Sequence, residues 1–315
     1  KERIGKRMRT KTKNKTSDFR KSVPLLLIAL PGIVYLIINN YLPMAGLFLA
    51  LKKYNFMKGI FGSDWCGFDN FKFLFSTKDA WIMTRNTVLY NLVFIVLGMV
   101  VSVGLAIMIS LMRNKRASKV YQTMMFFPYF MSWVVASYFL DAFLNQNNGL
   151  INNMLRNSGQ QPIQWYMTAG AWPAILTFMY LWKSTGYNMV IYLSSISGID
   201  TTLYEAAVMD GANKRQQVFH ITLPCLKNVI IMMFILNVGK IFYSDFGLFY
   251  QLSQGASGSI FKTTATIDTY IYNALRSSTI GMTSAAAFFQ SVACCITIIL
   301  ANAIVKKFDE DSAII

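Results

Sequence analysis

Long apolar stretches dominate the chain and predict membrane-spanning helices. A helix needs about 20 mainly apolar residues to cross a bilayer, and the sequence contains six runs of that length. Four runs carry no charged residue, one carries Lys183 alone, and one carries Lys240 and Asp245. The predicted spans are Val23–Leu51, Thr87–Met112, Val120–Leu140, Ala171–Ser197, Asn228–Tyr250 and Met282–Val305. The pattern therefore predicts an all-α, polytopic membrane protein with six transmembrane helices.

Composition supports a membrane protein over a soluble one. Of the 315 residues, 54% are hydrophobic and only 14% are charged, whereas soluble domains carry nearer a quarter charged residues. The formal net charge is +16, which by itself is compatible with nucleic-acid binding. The basic residues lie beside the apolar runs, however, as is typical of the cytoplasmic edge of a membrane. We therefore expect contact with membrane lipid and no nucleic-acid partner.

The distribution of lysine and arginine residues predicts the orientation of the chain in the membrane. They cluster at four places that alternate along a six-span chain, namely residues 1–22, 113–119, 214–227 and 306–307. The positive-inside rule places such clusters in the cytoplasm, so both termini are predicted to be cytoplasmic. The loops 52–86, 141–170 and 251–281 are then outside. The predicted organisation is a basic tail at 1–22, a six-span domain at 23–308 and a short tail at 309–315.

A polar stretch at residues 200–224 interrupts the apolar pattern. Asp200 or Thr202 can cap a helix, and Thr202 with Glu205 fits a capping box. Gly211 permits a turn, and Asn213 with Gln216 can cap a second short helix that we expect Pro224 to end. The sequence thus predicts two short helices joined at a glycine. Such a hairpin either fits a groove on a partner protein or packs on its own membrane domain, and the residues alone leave both open.

The segment "EAAVMDGANKRQQVFHITLP" (205–224) resembles the EAA loop of ABC importer permeases. The match consists of Glu205-Ala206-Ala207, then Gly211, Ile221 and Leu223-Pro224 at the family's spacing. The segments at 30–44, 54–75, 181–200 and 267–292 further resemble the branch that imports oligosaccharides released from polysaccharides. The resemblance implies the type I ABC importer permease fold in a bacterial cytoplasmic membrane.

In that family the EAA loop couples the permease to an ATPase, and residues 200–224 take this place here. The resemblance implies that Glu205 contacts a basic ATPase residue, that Ala206 and Ala207 form the close-packing face, and that Gly211 is the hinge. Helix capping by Glu205 is the competing role. The remaining predicted coupling residues are Asp210, Leu223 and Pro224.

The resemblance also implies partners. These are a second, different permease, two ABC ATPase subunits, an extracytoplasmic solute-binding protein and an oligosaccharide, acidic or neutral. The chain contains no G-x-x-x-x-G-K-[ST], HExxH or GxSxG pattern, so we expect no enzyme activity and no cofactor in it. ATP and Mg²⁺ are expected on the partner ATPases. The alternatives are a secondary transporter driven by an ion gradient and an ABC permease for a non-sugar solute.

The charged residues inside the spans are candidate substrate contacts. Charges at membrane depth are costly and usually face a cavity or a partner. Either Lys183 and Lys240 line the translocation path, or they pair with Asp245, backbone carbonyls or a second permease. Aromatic residues near them are candidates for stacking on sugar, although most membrane aromatics serve in packing. The full set of candidates is Lys183, Lys240, Tyr243, Asp245, Trp182 and Tyr187, and no metal site is predicted.

Overall fold

A computed structural model describes residues 15–276 and 280–308, with side chains at 23–276 and 280–307. Internal contacts divide the chain after Phe48 into two compact units. The first unit is a helical segment whose most apolar stretch, within Val23–Leu51, contains no buried residue. Its elements are α1 (Lys15–Leu36), a π-helical turn (Ile37–Tyr41), α2 (Leu42–Met44) and the start of a 3₁₀ helix (Ala45–Leu51).

The second unit opens with a small hairpin. Strands β1 (Lys52–Lys53) and β2 (Asp64–Trp65) are antiparallel, with Lys52 opposite Trp65. The buried Lys52 ammonium donates to the carbonyls of Ile60 and Phe61, at 3.1 and 2.8 Å. The hairpin encloses α3 (Gly59–Gly62) and is followed by a 3₁₀ turn (Asp69–Phe71) and α4 (Lys72–Ser76).

The helix that contains the second predicted span is longer than the apolar run in the sequence. Helix α5 covers Lys78–Ser110 and begins where the Thr77 hydroxyl accepts from the Ala80 amide. The capping group, and not hydrophobicity, therefore sets its start. The helix consequently includes Asp79 and Arg85, which lie outside the predicted span.

The third predicted span, Val120–Leu140, is bent into two helices. Helix α6 (Lys115–Phe126) continues as a 3₁₀ turn to Phe130, and α7 (Trp133–Leu144) then departs at 100°. Pro128 tightens the turn, Met131 is extended, and the Ser132 hydroxyl caps α7 by accepting from the Val135 amide. Local hydrogen bonds of polar residues thus override the continuous apolar pattern.

The fifth predicted span, Asn228–Tyr250, is also broken. Its helix α12 ends at Val238, and the chain is non-helical from 239 to 245 before a π-helical turn (Gly247–Gln251). The other elements of the second unit are α8 (Leu150–Asn157), 3₁₀ turns (Trp165–Met167, Ala169–Ala171, Gly258–Ile260), α9 (Trp172–Ser197), α10 (Thr201–Met209), α11 (Lys214–Gln217), a π-helical turn (Val218–Thr222), α12 (Leu223–Val238), α13 (Phe261–Thr264), α14 (Ile267–Arg276) and α15 (Ile280–Phe308).

The all-helical fold is confirmed apart from the small hairpin, whereas the count of six spans stays a prediction. Four helical segments in the described residues are long and apolar enough to cross a membrane, and the bent α6–α7 pair is a possible fifth. Helix α9 has 26 residues but is not among them.

Helices α5 and α9 form the centre of the second unit and run in the same direction. Phe94 stacks on Tyr180 with ring centroids 4.0 Å apart, and further along both helices the Ser102 hydroxyl approaches the Thr185 carbonyl at 3.4 Å. A Cβ at Gly186 would lie 1.9 Å from the Met125 carbonyl oxygen, so the missing side chain lets α6 approach α9 closely. Small residues allow this close packing of membrane helices.

Candidate functional sites

Asp200 begins the first helix of the loop between α9 and α12. Its carboxylate accepts from the Thr202 amide at 3.0 Å, and the hydrogen bonds from Thr202 hold the pKa of Asp200 below its usual value. The predicted Thr202–Glu205 capping box is therefore wrong, because the helix starts two residues earlier, at the other of the two candidate caps. The Glu205 side chain is consequently not used in capping.

The end of α10 requires Gly211. The Ala212 amide donates to the Ala207 carbonyl at 2.8 Å, and the Gly211 amide donates to the Val208 carbonyl at 3.0 Å. These two bonds define a Schellman motif, in which the glycine adopts a left-handed conformation. Gly211 has φ +79°, and a Cβ there would meet no atom within 4 Å. The need for glycine is thus conformational and not steric.

The second short helix starts as predicted but does not end at Pro224. The Asn213 side chain accepts from the Gln216 amide at 3.0 Å, while the Gln216 side chain accepts from the Asn213 amide at 2.8 Å. The capping box is therefore confirmed. Helix α11 then continues through the π-helical turn into α12, as one segment of 25 residues, Lys214–Val238. The π-helical turn widens the helix just before Pro224, which lies at the start of α12 and so is tolerated.

Side-chain hydrogen bonds join the two helices of the loop. The Tyr204 and Thr222 hydroxyls lie 3.0 Å apart, and the buried Gln217 amide donates to the Ala212 carbonyl at 3.0 Å. His220 Nδ1 lies 3.0 Å from the Gln216 carbonyl oxygen of its own helix. The loop is therefore a folded unit held by its own polar groups.

One face of α10 lies open to solvent. None of its residues is buried, and the exposed fractions of Val208 and Met209 are 55% and 88%. Glu205 and Ala206 are also exposed, and Ala207 is partly buried. Within the described residues, Glu205 has no hydrogen bond or ion pair. Of the two interpretations left open by the sequence, this geometry favours a helix that presents a face to a partner.

Lys183 lies in a cluster of aromatic rings. Its ammonium donates to the Tyr129 carbonyl at 2.8 Å and lies 5.3 and 5.2 Å from the ring centroids of Tyr129 and Trp133. The Trp133 indole in turn donates to the Asp245 carboxylate at 2.7 Å. Lys183 and Asp245 are thus joined through Trp133, without a direct ion pair. We call these four residues the Lys183 cluster.

The non-helical residues 239–245, which we call the broken segment, are held by side chains from three other helices. The Asn91 amide donates to the carbonyls of Ile241 and Tyr243 at 2.9 and 2.7 Å, and the Gln290 amide donates to the Phe242 carbonyl at 2.6 Å. One oxygen of Asp268 accepts from the Ser244 amide, the Ser244 hydroxyl and Gln290, at 2.7, 2.8 and 2.9 Å. These bonds replace the helical bonds that the segment lacks.

The break exposes three of the candidate residues. Lys240, Tyr243 and Asp245 all lie in the broken segment with exposed side chains. The Tyr243 hydroxyl lies 3.0 Å from the Ser291 hydroxyl, while the Lys240 ammonium has no partner within the described residues. The helical spacing assumed for Lys240 and Asp245 therefore does not apply.

The two aromatic candidates on α9, Tyr187 and Trp182, lie in different environments. Tyr187 stacks on Tyr129 with ring centroids 4.6 Å apart, and so extends the Lys183 cluster. Trp182 instead packs on the hydrophobic core and lines an apolar cavity of about 660 Å³ beside Phe178. Adjacent helical residues point about 100° apart, so Trp182 does not share the environment of Lys183.

Sequence reasoning missed the residues that hold these sites in place, among them Asn91, Trp133, Asp268 and Gln290. The candidates inside the predicted spans are charged or aromatic residues, and amides are not among them. Gln290 stands alone among apolar and small residues in "SAAAFFQSV" and is 1% exposed. An isolated amide within an apolar run is the signal that could have found it, because buried polar groups need partners.

The described residues thus contain a short helix hairpin between two long helices, the second of which leads into a break. The family model for the inner membrane component of binding-protein-dependent transport systems matches residues 98–310. The chain belongs to this family and is a permease component of an ABC importer. The comparisons do not favour a transporter driven by an ion gradient.

Relatives cover nearly the whole chain. The polygalacturonan/rhamnogalacturonan transport system permease protein YteP of Bacillus subtilis (strain 168) is 31% identical over 91% of this chain and 89% of its own length. Protein LplB of the same organism is 30% identical over 91% of this chain and 90% of its own. A crystal structure of a bacterial ABC transporter involved in the import of the acidic polysaccharide alginate contains a chain with TM-score 0.85 and 28% identity, covering 94% of this chain and all of that one. A second structure, of the alginate transporter with a pentasaccharide-bound periplasmic protein, matches with TM-score 0.84.

Proposed function

We propose that the chain forms, with a second permease, the path for an acidic oligosaccharide delivered by an extracytoplasmic binding protein. The observation that carries this proposal is the pair of lysines, Lys183 and Lys240, set among exposed aromatic side chains beside the break in a spanning segment. Broken helices commonly form the substrate sites of transporters. The similarity to a transporter of the acidic polysaccharide alginate supports the acidic character of the substrate.

The two lysines have different roles in this proposal. Lys240 is exposed and without a partner in the described residues, so its ammonium is available to a sugar carboxylate. Lys183 donates one hydrogen bond to the Tyr129 carbonyl and lies between two rings, which leaves two of its three protons for a ligand. Tyr187 and Tyr243 offer ring faces and hydroxyls to the same ligand.

The EAA-type loop, residues 200–224, is the contact to the ATPases in this proposal and lies on the cytoplasmic side. The basic residues Lys214, Arg215 and Lys227 in and beside it support that orientation. Glu205, Ala206 and Ala207 would seat on the ATPase, with Asp210, Gly211, Leu223 and Pro224 shaping the loop. ATP and Mg²⁺ would bind to those ATPases and not to this chain.

The experiment is reconstitution of the full transporter in liposomes with its second permease, ATPases and binding protein. Uptake is measured with acidic oligosaccharides and with the same oligosaccharides after carboxyl reduction, each presented on saturating binding protein. We expect the acidic form to be taken up at least about tenfold faster, a difference of about 1.4 kcal/mol. Equal uptake of both forms would contradict an acidic substrate.

Two substitutions test the lysines in the same system. Lys240→Met and Lys183→Met keep the length of the side chain and remove its charge, so we expect lower uptake of the acidic form and little change for the reduced form. Lys262→Met is a control, because this exposed lysine on α13 belongs to neither the Lys183 cluster nor the broken segment. If Lys240→Met or Lys183→Met assembles normally and takes up the acidic form as the wild type does, the substituted lysine does not line the path.

A further inference from the structure

A polar cavity lies beyond the Lys183 cluster along α7. Its volume is about 280 Å³, and its walls come from α7, the 3₁₀ turn at Trp165–Met167 and the chain at 250–255. We propose that this cavity is a second subsite that binds one glycosyl residue of the transported oligosaccharide. The inference rests on the proposed function and adds a site that lies outside the broken segment.

The lining has the chemistry of a carbohydrate site. It combines three tyrosine rings with a carboxylate and two amides, contributed by Tyr138, Tyr166, Tyr250, Asp141, Gln251 and Gln254. Ring faces suit the C–H surfaces of a sugar, while carboxylate and amide oxygens accept from its hydroxyls. The cavity of about 660 Å³ on the neighbouring face of α7 has apolar and aromatic walls, and so offers no comparable set of polar groups.

Tyr166 and Asp141 are arranged as donor and acceptor. Burial and the nearby negative charge of Asp141 raise the pKa of Tyr166 to about 12, and the Gln254 side chain partly opposes this shift. The tyrosine hydroxyl therefore stays protonated across the physiological range. The Asp141 carboxylate accepts from the Asn145 amide at 3.1 Å, which fixes its position on α7.

Backbone strain marks the segment that presents Gln254. Gln254 and Ala256 have φ of 54° and 52°, and Gly255 between them has φ 99°. Left-handed conformations cost non-glycine residues about 1 kcal/mol each or more and concentrate at ligand sites. Hydrogen bonds hold this turn, from the Gly255 amide to the Tyr250 carbonyl at 2.9 Å and from the Ala256 amide to the Ser253 hydroxyl at 2.8 Å.

The cavity and the Lys183 cluster lie along the same face of α7. Trp133, Ser137 and Asp141 follow at intervals of four residues and so share one face of α7. Trp133 binds Asp245 at one end of this face, and Ser137 and Asp141 line the cavity at the other. At about 1.5 Å per residue the two ends lie about 12 Å apart. An oligosaccharide of sufficient length would therefore occupy both places at once.

The test uses the reconstituted transporter and oligosaccharides of increasing length on saturating binding protein. Tyr138→Ala removes a ring, and Gln254→Gly removes an amide while relieving the strained backbone. We expect each to lower the uptake of long oligosaccharides about tenfold, equivalent to about 1.4 kcal/mol, and to leave disaccharide uptake nearly unchanged. ATPase activity stimulated by sugar-free binding protein and the melting temperature should match the wild type.

Matched controls separate binding from folding. Tyr138→Phe keeps the ring and should retain most of the uptake, and Gln160→Gly changes an exposed glutamine that does not line the cavity. The inference is overturned if Tyr138→Ala and Gln254→Gly both transport long oligosaccharides as the wild type does, or if the losses are equal at every length. If the wild type itself takes up no oligosaccharide, the proposed function fails, and the subsite with it.

Discussion

The EAA-type loop, residues 200–224, and the broken segment, residues 239–245, differ in how far away the partners of their backbone groups lie in the sequence. In the loop, three helix ends are closed by residues a few positions away: Asp200 caps α10, Gly211 ends it, and Asn213 caps α11. In the broken segment, several amides still donate to nearby carbonyls. Three carbonyls and the Ser244 amide, however, are paired with the side chains of Asn91, Gln290 and Asp268, which lie 24 to 152 residues away in the sequence.

Because of this difference, the loop can keep its shape by itself, whereas the broken segment depends on the helices around it. The loop keeps its shape through its own residues and leaves a face of α10 exposed, so it can dock without rearranging. The shape of the broken segment depends on how α5, α14 and α15 are placed around it. A movement of any of these helices therefore changes the position of Lys240 and Asp245, whereas it leaves the internal geometry of the loop intact.

The largest effect is expected from Glu205→Lys. Reversing the charge at a desolvated contact with a basic ATPase residue costs several kcal/mol, so substrate-stimulated ATPase activity should fall at least about thirtyfold. Stability should not change, because Glu205 is exposed and unpaired in the described residues. Glu205→Gln should give a smaller loss of activity. A variant with full stimulated activity would show that the exposed face of α10 is not the contact.

Asp268→Ala should destabilise the broken segment. The substitution leaves the Ser244 amide, the Ser244 hydroxyl and the Gln290 amide without their shared acceptor. The Ser244 hydroxyl keeps Thr266 as a partner and the Gln290 amide keeps the Phe242 carbonyl. The unsatisfied Ser244 amide therefore carries most of the cost, about 1–3 kcal/mol, read as a lower melting temperature of the purified complex. Asp268→Asn keeps one acceptor oxygen and should lose less. If Asp268→Ala and the wild type have the same melting temperature, the broken segment does not depend on Asp268 for its stability.

Gly211→Ala tests whether the loop is as self-contained as its hydrogen bonds indicate. A left-handed φ of +79° costs alanine about 1–2 kcal/mol, so we expect weaker coupling and faster proteolysis at residues 209–213. Gly198→Ala is the matched control, because Gly198 ends α9 with φ −88° and accommodates a Cβ at ordinary contact distance. Equal behaviour of the two variants would refute the conformational role of Gly211.

The smallest effect concerns pH. Asp268 lies on α14, outside the apolar helices, and burial raises its pKa above the usual value despite the hydrogen bonds that it accepts. The folded state therefore binds the proton more tightly than the unfolded state, and this contribution to stability is lost as pH rises above 3.8 through the folded-state pKa. We expect the wild type to gain melting temperature relative to Asp268→Asn as pH falls from 7 toward 4. A difference that is constant with pH would contradict this.

The structure of the loop could be predicted from the sequence far better than the break, because the hydrogen-bond partners in the loop are close to one another in the sequence. The Asn213–Gln216 capping box and the turn at Gly211 depend on residues within a few positions, and both predictions are confirmed. The choice between Asp200 and Thr202 as the cap was open, because both side chains can accept from a nearby amide. The prediction that Pro224 ends the second short helix is wrong, because the helix continues through the π-helical turn before it into α12.

The break in the fifth predicted span left little trace in the sequence. Its residues continue an apolar run that contains one lysine and one aspartate, and the amides that replace its helical bonds lie about 150 residues earlier and 50 residues later. The 100° bend between α6 and α7 was equally hidden, although Pro128 and Ser132 are visible in the sequence. Hydropathy locates apolar segments, but tertiary hydrogen bonds decide where they stay helical.

The uninterrupted passage of α11 through the π-helical turn into α12 makes Lys214–Val238 a single rod of 25 residues. At about 1.5 Å per residue it is about 37 Å long, and it ends one residue before Gly239, where the helical geometry stops. The rod has the short hairpin at one end and the lysine-bearing break at the other. If this helix moves as a rigid body, a tilt of the hairpin would therefore displace Lys240 at the opposite end of the helix.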